Sequence, residues 1–424
     1  MFLNDDISKR SMNLFLKQAT PEIADSSNII HRWYDYLEDF PNDLVSSCIS
    51  KYNLDSSSFI LDPFCGSGTT LISSKFLGIN SYGADVNPLM CFISKTKTYW
   101  NINIDILNAS AIFIFEGYLK RLSNEYDEEY INRQFSGMPK RELTQWMSKG
   151  MQYKVAILKE CIQRIKYENI KNLLLLCLAK SAFDTSYVAL CPGTTFYPNR
   201  KKDPFIKRFC ERLKMIIEDL VTVDILNRSY GAVTVFNKSA LELRSCLSDK
   251  FIDLIITSPP YPNDLEYTRQ TRLELYLLDF VSNMQEVQDI KKKMIKGSTK
   301  LIYKEDNYSS YIKKFRSITD VVGKISEALK FKNWGFDYPK MIQEYFGTMY
   351  VSLKVFFELL KPGAHNLQVV GDQTYKNIVI PVGDIFIEMA SELGYTKAEK
   401  ENYRIRRSTT HNIPLPEEIV ILTK

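Results

Sequence analysis

The chain has 424 residues, of which 45% are hydrophobic and 25% charged, and it carries a formal net charge of +5 at pH 7. These values are typical of a soluble globular protein of roughly two to three domains, and they exclude a single small module, a collagen-like chain and a mostly disordered one. The longest uninterrupted apolar run, residues 173–179, is too short to cross a membrane, and the N-terminus lacks a secretory pattern, so we expect a cytoplasmic protein.

The first clear pattern along the chain is a strand, a glycine-rich turn, a helix and a second strand. An apolar run at 59–61 leads into the turn Asp62-Pro63-Phe64-Cys65-Gly66-Ser67-Gly68-Thr69-Thr70. An amphipathic stretch at 71–78 predicts the helix, and 81–85 predicts a short strand that ends in Asp85. Together these elements indicate one βαβ unit of a doubly wound sheet.

The rest of the chain predicts further strands of that sheet, separated by two mostly helical insertions. Apolar residues at three- and four-residue spacing predict helices within 153–182 and 205–225. Later elements are predicted as strands at 232–236 and 253–256, a helix at 350–360, a turn at 361–363, a strand at 366–370, a helix at 382–393 and a strand at 418–422. We therefore expect an α/β fold with a doubly wound, Rossmann-like sheet, divided into 1–91, a first insertion 92–230, 231–261, a second insertion 262–345, and 346–424.

The glycine-rich turn favours a ligand that is not held by its phosphates. It lacks the Gly-Lys-Ser/Thr that closes a P-loop, and Leu71 stands where a dinucleotide fingerprint needs a third small residue. Gly66 and Gly68 would let the backbone approach a flat or zwitterionic molecule. Asp62 could bind a ligand ammonium, and Asp85 could accept hydrogen bonds from ribose hydroxyls. S-adenosyl-L-methionine fits these demands.

A second motif, Thr257-Ser258-Pro259-Pro260-Tyr261, follows the buried run 253–256 and would end a strand beside the first. Two consecutive prolines keep nearby carbonyl oxygens out of regular structure. Ser258 and the Pro259 carbonyl could accept the hydrogens of an exocyclic amine, and the Tyr261 ring could stack on an extruded base. This chemistry needs no covalent nucleophile and no metal, and with three His and no CxxC pair we expect no metal site.

The two motifs together resemble S-adenosylmethionine-dependent amino-methyltransferases that modify adenine N6 or cytosine N4 in DNA. The resembling segments are 59–88, 253–261 and 360–394, with 40–53 similar to the helix that precedes the first strand in this family. The resemblance implies a methyltransferase fold and target-amine contacts from Ser258, Pro259, Pro260 and Tyr261. The cofactor contacts that it implies are Asp62, Pro63, Phe64, Gly66, Gly68, Thr69, Asp85 and Asn87.

One position departs from the family pattern. The family usually has an acid after its third strand to hold the adenine amine of the cofactor, whereas this chain offers Ser239. The order of the motifs, with a long insertion between the cofactor turn and the catalytic motif, resembles the α arrangement of the family. The insertion 92–230 is then the candidate target-recognition domain.

The implied partner is double-stranded DNA, from which the target base would be flipped, in a restriction-modification setting with a separate cognate endonuclease as a candidate partner. Residues 198–214 hold seven basic and two acidic residues, and 291–304 is a second basic run. Each run taken alone could be a solvated helix face, but their place in the insertions favours DNA binding. The residues expected to contact phosphates are Arg200, Lys201, Lys202, Lys207 and Arg208.

Three other functions fit the sequence less well. Methylation of cytosine C5 needs a thiolate, usually from a Pro-Cys dipeptide, and the chain contains none. The related tRNA guanine methyltransferases typically have aspartate in place of Ser258 and an RNA-binding module before the first motif, for which this sequence leaves no room. A DNA- or RNA-binding protein with an inactive methyltransferase fold is disfavoured by the intact glycines and acids of the two motifs.

The choice of base depends on Ser258. In the resembling family a serine at this position commonly accompanies cytosine and an aspartate commonly accompanies adenine. Cytosine N4 is therefore favoured, and adenine N6 stays open because the two amines are chemically similar.

Overall fold

The computed structural model describes residues 29–35, 42–123, 127–190, 194–196, 204–226, 228–247, 251–332, 335, 337–407 and 413–424. Its strands are β1 (Phe59–Asp62), β2 (Asn80–Asp85), β3 (Val188–Leu190), β4 (Thr194–Phe196), β5 (Val233–Asn237), β6 (Ile252–Thr257), β7 (Leu360–Gly371), β8 (Gln373–Tyr375), β9 (Ile378–Ile380), β10 (Lys397–Arg407) and β11 (Pro414–Thr423).

The α-helices are α1 (Asn42–Lys51), α2 (Thr69–Phe76), α3 (Pro88–Thr98), α4 (Ile104–Leu122), α5 (Glu128–Gln134), α6 (Lys140–Trp146), α7 (Lys149–Gln163), α8 (Glu168–Thr185), α9 (Phe205–Leu226), α10 (Arg244–Leu247), α11 (Tyr267–Gln270), α12 (Arg272–Leu277), α13 (Met284–Lys292), α14 (Arg316–Leu329), α15 (Asp337–Leu359) and α16 (Val382–Leu393). None of these helices, within the described ranges, has both the length and the apolarity needed to cross a membrane.

The described residues form two compact units. The helical unit takes its described residues from 1–39, 88–229 and 268–287, and the sheet unit takes them from 40–87, 230–267 and 288–424. Residues 288–345, which the sequence assigns to the second insertion, lie in the sheet unit. The division into five segments inferred from the sequence stays a prediction.

The sheet unit is built on seven strands in the order β10-β11-β7-β6-β1-β2-β5. The strands β5, β2, β1, β6 and β7 run parallel, and β11 is antiparallel to both of its neighbours. Successive strands move outward in opposite directions from the pair β1 and β6, which makes the gap between their carboxyl ends a topological switch point. The prediction of a doubly wound, Rossmann-like sheet is confirmed.

Burial on both faces of the sheet explains why the central strands form where the sequence predicts them. Ile60, Leu254 and Ile256 are fully buried in one hydrophobic cluster, whereas Leu61 and Ile255 are fully buried in another. Because successive side chains of a strand point to opposite faces, the two clusters lie on opposite faces of the sheet. Central strands covered on both faces read as continuous apolar runs, which is the pattern of 59–61 and 254–256.

Several strands and helices differ from the sequence prediction, among them β7, α15 and β10, and the short strands β3, β4, β8 and β9 were not predicted. The strand β7 begins at Leu360 and runs through the predicted turn at 361–363, where the Gly363 amide donates to the Lys424 carbonyl at 2.9 Å. The helix α15 begins at Asp337, earlier than predicted. The strand β10 was not predicted, because its sequence is mostly charged and exposed, as is common for an edge strand.

In the helical unit, the predicted helical stretches 153–182 and 205–225 correspond to α7, α8 and α9. The buried carboxylate of Asp219 on α9 accepts hydrogen bonds from the Ile30 amide and the Trp33 indole, both at 2.9 Å, and pairs with Arg32. This carboxylate therefore anchors residues 29–35 within the helical unit, since a buried charge must be satisfied by several donors.

A close backbone approach at Gly231 generates a first prediction. A Cβ there would lie 1.9 Å from the Ile79 carbonyl oxygen, which is backbone and cannot turn aside. We expect Gly231→Ala to lower the free energy of unfolding by about 1–3 kcal/mol in urea denaturation, the usual range for overpacking. Gly323→Ala in α14, where a Cβ meets nothing within 4 Å, is the matched control and should raise it by about 0.5–1 kcal/mol. Equal stability of the two variants would contradict the prediction.

Candidate functional site

The turn between β1 and α2 has two glycines in the left-handed region of backbone space. Gly66 has φ 47° and Gly68 has φ 94°, conformations that residues with a Cβ rarely adopt. The Cys65 amide donates to the Ala84 carbonyl at 2.9 Å, and the Gly66 amide donates to Asp85 Oδ2 at 3.2 Å. The turn is therefore fixed against the end of β2, with Gly66 half-buried and Gly68 buried.

Asp62, at the tip of β1, is 2% exposed and joins three elements. Its Oδ1 accepts hydrogen bonds from the Thr257 hydroxyl at 2.6 Å and from the Phe64 amide at 3.1 Å. Its Oδ2 accepts from the Thr70 hydroxyl at 2.6 Å. Thr70 lies in the first turn of α2 and Thr257 is the last residue of β6, so this carboxylate connects the glycine-rich turn to the strand of the second motif. The predicted contact between Asp62 and a ligand ammonium stays a prediction.

Asp85, at the tip of β2, is half-buried and accepts from backbone amides on two sides. The Gly66 amide lies 3.2 Å from Oδ2 and the Asn87 amide 2.8 Å from Oδ1. Desolvation raises the pKa of Asp85 to about 6, and the nearby charge of Asp62 adds to the rise while the two amides oppose it. The acid is therefore ionised at neutral pH, as an acceptor for hydroxyl groups must be.

The other predicted cofactor residues have less exposed positions. Pro63, Thr69 and Asn87 are buried, and Phe64 is half-buried with its ring edge-on to Phe356 at 6.3 Å between centroids. Ser239 is 4% exposed, and its hydroxyl donates to the Lys293 carbonyl at 3.2 Å and accepts from the Leu241 amide at 3.4 Å. A ligand at Ser239 would have to compete with these partners, and its cofactor contact stays a prediction.

The second motif leaves β6 as a loop at the carboxyl end of the sheet. Ser258, Pro260 and Tyr261 are half-buried, and Pro259 is buried. The loop that follows is held by Asp264, whose amide donates to the Gly297 carbonyl at 3.0 Å and whose Oδ1 accepts from the Ser298 hydroxyl at 2.9 Å. A Cβ at Gly297 would lie 2.6 Å from the Tyr261 carbonyl oxygen, so glycine is required for this close approach.

Tyr261 contacts residues that sequence reasoning missed. Its hydroxyl donates to Glu417 Oε1 at 3.0 Å, and the Arg406 guanidinium carbon lies 5.2 Å from the centre of its ring. Burial, and then the charge of Glu417, raise the pKa of Tyr261 above its ordinary value, so the hydroxyl stays protonated and donates. Glu417 comes from β11 and Arg406 from β10; the pair of acids before the apolar run 419–422 was the one available signal.

The structure divides the basic residues expected to contact phosphates. Arg200, Lys201 and Lys202 lie outside the described residues. Lys207 and Arg208 lie in the first turn of α9, and both face Glu211, at 3.9 Å and 3.2 Å. Their role as phosphate contacts stays a prediction.

The second basic run, 291–304, includes two lysines that face inward. Lys291 is 7% exposed and lies 3.7 Å from Glu266, and Lys296 is 2% exposed and lies 3.2 Å from Asp306. Burial lowers the pKa of Lys296, and the charge of Asp306 opposes that change. These two lysines are therefore interior ion pairs of the sheet unit and do not belong to a solvated face.

Comparisons with known proteins agree with the motifs. A family model described as DNA methylase, of the N6/N4 methyltransferase type, matches residues 18–96. The Type II methyltransferase M.AvaI of Nostoc sp. is 27% identical over 93% of this chain and 83% of its own length. M.BsoBI of Geobacillus stearothermophilus is 26% identical over 88% and 80%, and M.MvaI of Kocuria varians 22% over 86% and 84%; both are Type II methyltransferases. The family model and these relatives support the amino-methyltransferase family for this chain.

The central position of Asp62 generates the second prediction. We expect Asp62→Asn to lower the free energy of unfolding by about 1–3 kcal/mol, because an amide replaces one acceptor oxygen with a donor that faces a hydroxyl donor. Thr70→Val and Thr257→Val, which each remove one hydrogen bond, should cost less. Urea denaturation measures all three, with the exposed Asp320→Asn as a control expected to change stability by less than about 0.5 kcal/mol. If Asp62→Asn were no less stable than Thr257→Val, the role of Asp62 in joining the three elements would be excluded.

Proposed function

We propose that the chain is a site-specific DNA methyltransferase that transfers a methyl group from S-adenosyl-L-methionine to N4 of cytosine in double-stranded DNA, in a restriction-modification setting. The observation that carries the proposal is the hydrogen-bonded link from Asp62 to Thr257. It holds the glycine turn and the loop of Ser258 to Tyr261 side by side at the switch point of the sheet. A donor site and an amine site must be neighbours for direct transfer, because the reacting atoms have to approach within about 3–3.5 Å.

The residues around the glycine turn fit the cofactor. The left-handed glycines place no Cβ in the turn, which allows a close approach to the backbone, and Asp85 is a half-buried acceptor suited to ribose hydroxyls. We assign Gly66, Gly68 and Asp85 to cofactor binding, with Pro63, Phe64, Thr69 and Asn87 lining the same turn. When bound, S-adenosyl-L-methionine supplies a methyl group on a positively charged sulfur.

The residues of the second motif act on the target amine. The Thr257 hydroxyl already donates to Asp62. Ser258 therefore supplies the aliphatic hydroxyl of the motif that is left for the target amine. Ser258 Oγ and the Pro259 carbonyl would accept the two amine hydrogens, which directs the nitrogen lone pair toward the methyl group. The Tyr261 ring offers a face on which a flipped base can stack, offsetting part of the few kcal/mol that extrusion costs.

The choice of base depends on the residue at position 258. A neutral serine suits an amine that needs one acceptor besides a carbonyl, and in the resembling family serine commonly accompanies cytosine. The same arrangement can accept the N6 amine of adenine, which is the alternative. Target recognition by 92–230 and phosphate contacts by its basic residues complete the proposal.

Product analysis tests the reaction and the base together. The purified chain is incubated with labelled S-adenosyl-L-methionine and unmethylated plasmid DNA, and the nucleosides are separated by mass spectrometry. We expect N4-methylcytosine. N6-methyladenine alone would replace the base assignment, 5-methylcytosine would overturn the mechanism, and methylation of RNA but not of DNA would overturn the substrate.

Ser258→Ala tests the division between the two halves of the site. The variant should lower kcat by orders of magnitude while the dissociation constant of S-adenosyl-L-methionine, measured by calorimetry, stays nearly unchanged, because Ser258 acts on the amine alone. Gly66→Val should show the opposite pattern and weaken cofactor binding. An equal loss of cofactor affinity in both variants would contradict the assignment.

The pKa of Asp85 predicts how cofactor affinity depends on pH. The value of about 6 lies above the ordinary 3.8, so a proton competes for the carboxylate at a pH where most aspartates are fully ionised. Affinity should be constant above this pKa and should fall by up to about tenfold per pH unit below it. Calorimetric titration of the unmodified chain and of Asp85→Asn measures the effect. The variant should bind more weakly and lose the pH dependence, and an unchanged slope would assign the dependence to another group.

A further inference from the structure

A β-bulge in the C-terminal hairpin brings two arginines to the face of the sheet that holds Glu417. Along β10 and β11, Asn402 pairs with Glu418, but Arg404 pairs with Glu417, so Tyr403 is an extra residue. In a regular ladder Tyr403 would face Glu417, and the arginines would point to the opposite face. Bulges of this kind redirect side chains and are common beside active sites.

The redirected arginines enclose the carboxylate of Glu417, whose side chain is 5% exposed. Arg404 pairs with Oε2, and the Nε of Arg406 lies 3.4 Å from Oε1. Gly371, opposite Glu417 on β7, leaves room for the Arg406 guanidinium, since a Cβ at Gly371 would lie 2.0 Å from its Nη2. Both arginines are donors only, so the oxygens of Glu417 that face them act as hydrogen-bond acceptors.

Glu417 therefore sets the direction of a short chain of hydrogen bonds. Tyr261 must use its single hydroxyl proton to donate, and Glu417 Oε1 at 3.0 Å is the charged acceptor, with the Val369 carbonyl farther away at 3.4 Å. Tyr261 Oη then offers only lone pairs to Ser258, whose Oγ lies 3.5 Å away. Ser258 in turn points its proton at Tyr261 and keeps its own lone pairs for another donor.

We propose that Glu417 is a positioning residue that, through Tyr261, orients the Ser258 hydroxyl as an acceptor for the target amine. The inference rests on the proposed function and adds the group that fixes the hydroxyl's direction. Without that direction, the Ser258 proton can point at the amine, where donor faces donor and the nitrogen lone pair is not directed toward the methyl group.

A double-mutant cycle between Glu417→Gln and Tyr261→Phe tests the proposal. Glutamine has the same shape as glutamate, but its NH₂ group must face either an arginine or Tyr261. The variant therefore no longer fixes the direction of the hydrogen bond between Tyr261 and residue 417. Each single variant should lower kcat on unmethylated plasmid DNA by about tenfold to a hundredfold, as for loss of a hydrogen bond to a charged group, with cofactor affinity unchanged. Glu417→Gln in the Tyr261→Phe background should have no further effect on kcat.

Glu418→Gln is the matched control. Glu418 is the next residue on β11, is similarly buried at 8% exposed, and pairs with Lys400 at 3.2 Å. This variant should keep kcat even if it lowers stability. Additive effects of Glu417→Gln and Tyr261→Phe on kcat, or a kcat unchanged by Glu417→Gln, would overturn the positioning role.

A second readout separates this inference from the proposed function. The same cycle measured as free energy of unfolding reports the contact between Glu417 and Tyr261 without any DNA. The two substitutions could be coupled in their effects on stability but not in their effects on kcat. If the unmodified chain methylates DNA, that result overturns the positioning role and leaves the proposed function intact. An unmodified chain that transfers no methyl group to DNA overturns the proposed function, and this inference with it.

Discussion

The geometry of the site depends on one buried carboxylate. Asp62 accepts hydrogen bonds from the first turn of the helix behind the glycine turn, from the turn itself and from the last residue of the neighbouring strand. A buried carboxylate is costly unless its oxygens are satisfied, so each of these three donors is held in place by the same requirement. The carboxyl ends of β1 and β6 are therefore held in fixed relative positions, because neither can shift without leaving an oxygen of Asp62 unsatisfied.

The residues beside β2 and the residues beside β7 and β11 differ in chemical type. On the β2 side, Gly66, Gly68 and Asp85 present backbone and a partly exposed acid. On the β7 and β11 side, the tyrosine of the second motif is packed among an arginine, a buried glutamate and a backbone carbonyl. Glycine backbone lets a ligand approach closely, whereas a ring held from several sides presents its face in one orientation.

The central strands and the last helix could be predicted from the sequence because local signals agree there. The helix α16 begins and ends where predicted, at Val382 and Leu393, and Gly394 ends it with φ 94°. The roles of β10 and Glu417 could not be predicted. An exposed strand of charged residues has no hydrophobic period, and a one-residue bulge, which decides the face of Arg404 and Arg406, leaves no mark in composition. The inward lysines at 291 and 296 escaped prediction for a similar reason, since only tertiary contacts distinguish a buried lysine from a solvated one.

The placement of β11 has a consequence for the order in which the protein assembles. This strand follows every other strand of the sheet along the chain, yet it lies between β7 and β10 in the interior of the sheet. During synthesis from the N-terminus, β10 therefore emerges with no sheet neighbour and must wait for residues 414–423 before it can pair. The five parallel strands all precede β10 and can pair earlier, so the glycine-rich turn can form while Glu417, the acceptor for the Tyr261 hydroxyl, is still being synthesised. The hydrogen bond from Tyr261 to Glu417 is therefore among the last contacts that synthesis of the chain makes possible.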